Sequence, residues 1–499
     1  MTKASTSATT GNSSYQYMHS YTYADGKTIG PIAILKVDDD NPFPSSQNLN
    51  AVQIVELGEV VILLLANIAI NLTNLLNVGA VGPTADPASG EISDESQSSD
   101  KATIIDALES IEQKTADLRK LVDLGKAVVD KVEADAESDV GSFIKDKIED
   151  IGGEIGGKIE KFGEKLVGKF SSKLGSSDDS SATSSDTSTE SSDDSDEDST
   201  GLSCVLTFLL EDIVKFLVGE AIKGILTDAG LYGEATSIRQ YADQFQTIVV
   251  PNVVSTANSD DAFAAQTVSG PNPLVIERVI DALPVNFPVE DAAYKKVMGA
   301  DDSIEQAIAD NRLYLTDYKA LSVMKPGTFP QQKYISAPLA LFAVAKGDSS
   351  GSLKSVALQV GQQPATNNPV LYPFHEESWD LGKVHVASAD GNFHELISHL
   401  GLTHLLIEPF AVSTHAKLAV THPVFKLLLP HIQGTLFINN AAITSLVAPE
   451  GILDRLLGGT IESDWQVTVQ AVGTVNFNKR MLPNQLASRH VADTSLPLS

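Results

Sequence analysis

Hydrophobic and polar positions divide the chain into apolar segments separated by polar ones. Residues 1–50 are polar and punctuated by Gly and Pro, with one apolar piece at Ile29–Val37, which predicts loop with a single strand. Residues 51–78 are strongly apolar and predict a buried helix. The stretch 54–76 includes Glu56, Glu59, Asn67, Asn71 and Asn74, too polar for a bilayer span of about 20 mostly apolar residues. A Gly/Pro/Ser/Asp-rich linker follows at 79–101. From 102 to 139, Ile104, Leu108, Ile111, Leu118, Leu121 and Val122 recur at helical spacing and predict one helix or a helical pair. The same period returns over 202–231, at Leu206, Leu209, Leu210, Ile213, Phe216 and Leu217. Strands are predicted around 334–346 and 353–361, where APLALFAVA and LKSVALQVG are apolar and rich in Ala and Val. Pro423 and Pro430 are expected at helix boundaries.

Two stretches between these segments differ in kind. Over 152–175, Ile155, Ile159, Phe162, Leu166, Phe170 and Leu174 form one apolar stripe, and Lys158, Lys161, Lys165, Lys169 and Lys173 line another face. A basic amphipathic helix of this pattern either lies on a membrane surface or packs on the body of the protein. Its many glycines weaken it by about 1 kcal/mol each relative to alanine. Residues 176–201 carry nine acids and no base in a Ser/Asp-rich run, from which no core can be built; disorder is expected there. The organisation read from this pattern is an N-terminal arm and core helix (1–78), an insertion (79–201) and a main domain (202–499).

Composition narrows the function. At 499 residues, 42% hydrophobic and 20% charged, the chain has room for a large globular core. A net charge of −30 argues against nucleic acid as a partner, since phosphate contacts need clustered Lys and Arg. Cys204 is a single cysteine and cannot form an internal disulfide. The polar N-terminus lacks the apolar core of a secretory signal, so a cytoplasmic location is expected, with peripheral membrane contact through 152–175 as a further expectation.

The candidate chemistry lies in residues 394–431, which hold six of the ten histidines. Neutral imidazole is the commonest protein metal ligand. His394, His399 and His404 are five apart. On an α-helix that step turns about 500°, so neighbours diverge by roughly 140° and could not share a metal. A π-bulge, with its i→i+5 hydrogen bonds, would return His399 and His404 to one face. HELISH is not the HExxH of zinc hydrolases, because its second histidine comes one residue late.

These histidines, followed by Glu408-Pro409-Phe410, Thr414 to Leu418, His422-Pro423, Lys426-Leu427-Leu428, Pro430-His431 and Ile438-Asn439, resemble the signature of the lipoxygenases. The flanks resemble the family as well: 260–279 with its GPNP, LYLTDYKAL at 313–321, APLALFAVA at 337–345, Trp379, Lys383 and Asp390, and LPNQLASR at 482–489. The likeness runs from about 240 to about 490.

The resemblance implies a mainly α catalytic domain with minor short strands. It implies non-haem iron dioxygenation of a polyunsaturated fatty acid: a hydrogen atom leaves a bis-allylic methylene, oxygen adds to the radical, and a hydroperoxide results. His399 and His404 match the family's iron-binding histidines of this helix. His394 matches a nearby histidine that is not a ligand in most members. Ala442 falls at the stereocontrol position, where alanine accompanies S products. Three residues depart from the pattern: Glu395 stands where Gln is usual, Leu400 where Trp is frequent, and Ile443 where Arg is common. The family's remaining ligands, from a downstream helix and the C-terminal carboxylate, have no counterpart before Ser499, and the later His490 stands where the family has Gly. The expectation is therefore a C-terminally truncated lipoxygenase, inactive as it stands, with a lipid-binding, non-catalytic role as the alternative.

Overall fold

The computed structural model describes residues 259–329 and 332–493, short pieces between 16 and 36, and the isolated residues Gln47, Ala116, Arg119, Asp123 and Thr256. The core helix expected at 51–78, the basic stripe, the acidic run and the helices of 202–231 lie outside the described residues. The chain divides into two compact units, one formed by 1–41, 250–428 and 442–499, the other by 42–249 and 429–441.

In the first unit the arm holds more strand than its pattern predicts. β1 (Gln16–Met18) pairs antiparallel with β4 (Ile34–Lys36), and β2 (Tyr21–Thr22) with β3 (Thr28–Ile29). The apolar run at Ile29–Val37 thus belongs to two strands rather than one: Ile29 ends β3, Ile34–Lys36 form β4, and Gly30, at a φ of 141° that suits glycine, follows β3 between them.

After α1 (Asp260–Ser269) comes an antiparallel sheet of order β5-β6-β7-β8: Glu277–Arg278, Leu313–Asp317, Leu339–Val344 and Leu353–Gln359. Helices α2 (Asp291–Met298) and α3 (Ile304–Ala309) lie between its first two strands in sequence. β7 is buried at every position. Successive side chains on a strand point to opposite faces. Accordingly Ala340, Phe342 and Val344 enter one apolar cluster, and Leu339, Leu341 and Ala343 enter the other. A sheet covered on both faces needs a continuous apolar run instead of an alternating one. That explains the pattern of 337–345.

The first of those clusters joins the sheet to the helical part through Trp379, Val386, Ala389, Leu396 and Ile397. These belong to one unbroken helical rod, Glu377–Lys417, made of α4 (Glu377–Phe393), a π-helix (His394–Leu405) and α5 (Leu406–Lys417). Length and composition alone would let this rod cross a membrane, but here it is the axis on which the sheet and later helices pack. Pro423 opens α6 (Pro423–Ile432) as expected, whereas Pro430 sits inside that helix, in its last turn. α7 (Thr435–Ala441) leads into a second π-helix, Ala442–Leu446. Then follow α8 (Ile452–Leu456), α9 (Ile461–Gly473), α10 (Phe477–Arg480) and α11 (Leu482–Ser488). The Thr460 side chain caps α9 by accepting from Ser463 N.

In the second unit, Ala116, Arg119 and Asp123 are helical and exposed, at the spacing of one helix face. Leu436, Phe437 and Asn439 of α7 are buried there, and the Leu436 backbone N–H donates to the side chain of buried Gln47 at 3.2 Å.

Candidate metal centre

The π-helix supplies what the five-residue spacing requires. Its C-terminal end carries an i→i+5 backbone bond, from the Leu406 N–H to the Gly401 carbonyl, and the Thr403 side-chain hydroxyl donates to the Ser398 carbonyl at 2.8 Å. The His399 and His404 side chains therefore converge, with their Nε2 atoms 3.1 Å apart. The His394 ring stacks on that of His399, with centroids 5.5 Å apart and planes at 17°. On its other nitrogen, His399 Nδ1 lies 3.2 Å from Glu395 Oε2.

The donor pair fits a metal. Two nitrogens about 2.1 Å from one ion and at right angles to each other stand about 3.0 Å apart. Without a proton or cation between them, two Nε2 lone pairs at this distance repel. His399 is exposed and His404 half-buried, so the pair is open to an incoming group. His394 is half-buried, and its Nδ1 has no hydrogen-bond partner among the described residues. His394, Glu395 and His399 also place one donor atom each within 4.8 Å of one another.

Long-range contacts hold the π geometry, and sequence reasoning did not find them. From α9, the Thr468 hydroxyl donates to the Leu396 carbonyl at 3.0 Å. Gly401 lets α9 approach: a Cβ there would meet the Leu396 carbonyl oxygen at 3.2 Å and Val472 at 3.5 Å. From the GPNP segment, buried Asn272 accepts from Ser398 Oγ at 2.8 Å, beside His399. The Asn272 amide also donates to the Asp390 side chain and carbonyl, at 2.9 and 2.8 Å, and the Tyr318 hydroxyl donates to the same carboxylate at 2.7 Å. Burial, with the Asp390 charge beside it, pushes the Tyr318 hydroxyl far above its ordinary range. A second clamp joins Asp260 to Trp379 Nε1 at 2.8 Å and to Lys383 Nζ at 2.9 Å. The motif residues of 260–279, 313–321 and 379–390 are thus partners across the fold.

Ala442 is buried at the start of the second π-helix. Its neighbour Ile443 packs with Leu400 and Leu405 of the first π-helix, Ile29 of the arm and Trp465 of α9. Both apolar departures, Leu400 and Ile443, share this cluster, which has no place for an arginine charge. The Tyr23 hydroxyl donates to the Ile443 and Val447 carbonyls at 2.9 and 3.1 Å, and Trp465 Nε1 to Val447 at 3.0 Å. An open pocket of about 440 Å³ borders the first π-helix on the side of Phe393, Ile397 and Leu402 and is lined also by Val467 and Ala471 of α9 and by Lys479.

Residues 233–496 match the lipoxygenase family model. The chain is 39% identical to the linoleate 9/13-lipoxygenase of Pseudomonas aeruginosa, over 57% of this chain and 42% of that protein. It is 32% identical to the human polyunsaturated fatty acid lipoxygenase ALOX15B, over 54% of this chain and 40% of the relative. Among solved structures, it superimposes on the lipoxygenase variant Delta413-417:GS LOX, crystallised anaerobically in complex with arachidonate, with a TM-score of 0.50 and 32% identity, covering 55% of this chain and 42% of the other. The match thus spans about two fifths of the length of these relatives. With a family model covering more than half of its residues, the chain belongs to the lipoxygenase family.

Proposed function

We propose that the protein takes part in iron-dependent dioxygenation of polyunsaturated fatty acids of the linoleate type to hydroperoxides, with His399 and His404 as the protein's iron-binding imidazoles. The 3.1 Å approach of their Nε2 atoms on a π-helix carries this reading. Iron bound there supplies the one-electron and oxygen chemistry of the family's reaction. The chain's own residues do the remaining work. His399 and His404 present lone pairs. Asn272 and Thr468 hold the turn just before His399, through the Ser398 hydroxyl and the Leu396 carbonyl. Ala442, with its small side chain, is assigned the stereocontrol position.

The test loads purified protein with ferrous iron without oxygen, measures retained iron, then adds linoleate or arachidonate in air and follows conjugated-diene absorbance. Retention is expected to fall at least tenfold in His399→Ala and His404→Ala. If wild type holds no more iron than the double variant, the iron reading is wrong. Fatty acid bound by metal-free protein, without product, would instead favour the lipid-binding role.

A further inference from the structure

We propose that Glu395 is a positioning residue for the metal donor: its carboxylate holds the Nδ1 proton of His399 and so commits the Nε2 lone pair to the ion. This rests on the assignment of His399 as a ligand. Neutral imidazole carries one proton, and the bond made by one ring nitrogen fixes what the other can do. In His399 both nitrogens are engaged, on opposite sides. Nδ1 lies 3.2 Å from Glu395 Oε2, four residues back, and Nε2 lies 3.1 Å from His404 Nε2, five residues on.

The stacked His394 ring restrains the plane of His399 but does not select its tautomer. A half-turn of the ring within that plane would aim Nδ1 elsewhere. Carboxylate accepts and never donates when ionised, so opposite Glu395 only the Nδ1–H tautomer is satisfied. As a plain surface pair the contact would count for little, since both side chains are substantially exposed, at 46% and 39%. Its effect is expected in metal affinity and ring state, not in fold stability.

The experiment compares wild type, Glu395→Gln and Glu395→Leu as full-length proteins, with cobalt(II) as the probe and with histidine-selective 15N labelling of the metal-free protein at about pH 8, where free histidine is neutral. The His399 resonances are assigned by their loss in His399→Gln. In wild type and Glu395→Gln, whose amide oxygen also accepts, His399 is expected in the Nδ1–H form and cobalt affinity to agree within about threefold. In Glu395→Leu, His399 is expected to shift to the Nε2–H form, and cobalt affinity to fall about 10- to 100-fold. An Nε2–H form in wild type overturns the proposal, whether or not metal binds. Loss of affinity in Glu395→Gln equal to that in Glu395→Leu, with a changed cobalt visible spectrum, overturns it too and makes Glu395 a ligand together with His394 and His399. If the tautomers behave as expected but wild type binds no cobalt, the proton-holding role stands and the metal assignment of His399 fails.

Discussion

Burial pushes the Asp464 carboxyl up to about 8, with Asp454 and Glu462 adding to the effect and Lys333 opposing it. Neither of its oxygens has a hydrogen-bond partner among the described residues, and the side chain is fully buried. Gly459 faces it so closely that a Cβ would collide with Asp464 Oδ1. A carboxyl whose folded pKa exceeds its unfolded value binds its proton more tightly in the native state. Its stabilising effect is complete below about pH 4 and is lost as pH rises toward about 8, at up to about 1.4 kcal/mol per pH unit. Asp464→Asn is expected to flatten that slope and to raise stability relative to wild type at pH 8.5, with little change at pH 4. Urea denaturation at the two pH values measures it; an unchanged slope would show that Asp464 is ionised in the native protein. Nothing in the sequence marks this residue, because the burial comes from α9 packing against a loop more than a hundred residues upstream, where Lys325 O accepts from Thr460 N.

At the scale of elements, the π-helix was legible because its residues carry a step that no α-helix can use: three histidines five apart either diverge or force an i→i+5 turn. The strand at 339–344 was legible from an unbroken apolar run, and that at 353–359 from an Ala/Val-rich one. The second π-helix was not, since Ala442–Leu446 carries no periodic marker; it is held by Tyr23 and Trp465, hundreds of residues and eighteen residues away. Nor could Thr468 be recognised as a partner of the Leu396 carbonyl, as mid-helix threonines are commonplace. Replacing it isosterically tests the clamp. Thr468→Val leaves that carbonyl without its hydroxyl donor and is expected to cost about 1–3 kcal/mol. It should also weaken cobalt binding, which loss of packing elsewhere would not do. Equal affinity in the variant would show that the π geometry stands without the clamp.

For the whole molecule, a net charge of −30 sets a self-repulsion that the compact state must bear. Salt screens it, with a Debye length of about 10 Å at 0.1 M and about 3 Å at 1 M. The melting temperature is therefore expected to rise with sodium chloride between 0.05 and 0.5 M, by differential scanning calorimetry. A fall would mean that exposed paired charges, such as Lys295 with Asp291 at 2.6 Å, outweigh the repulsion.

The clamps on the π-helix also set an order of events during folding. Both proposed imidazole donors lie within six residues, which suggests a site that could capture an ion as soon as that stretch leaves the ribosome. Yet a nascent α-helix would splay His399 and His404, and the contacts that re-register them come from Asn272, already synthesised, and Thr468, made later. Ion capture should therefore wait for α9. In stopped-flow refolding, the cobalt absorption change should lag helix formation and keep pace with the tertiary fluorescence of Trp379 and Trp465. A polypeptide halted before residue 461 would display the histidines without being able to use them together.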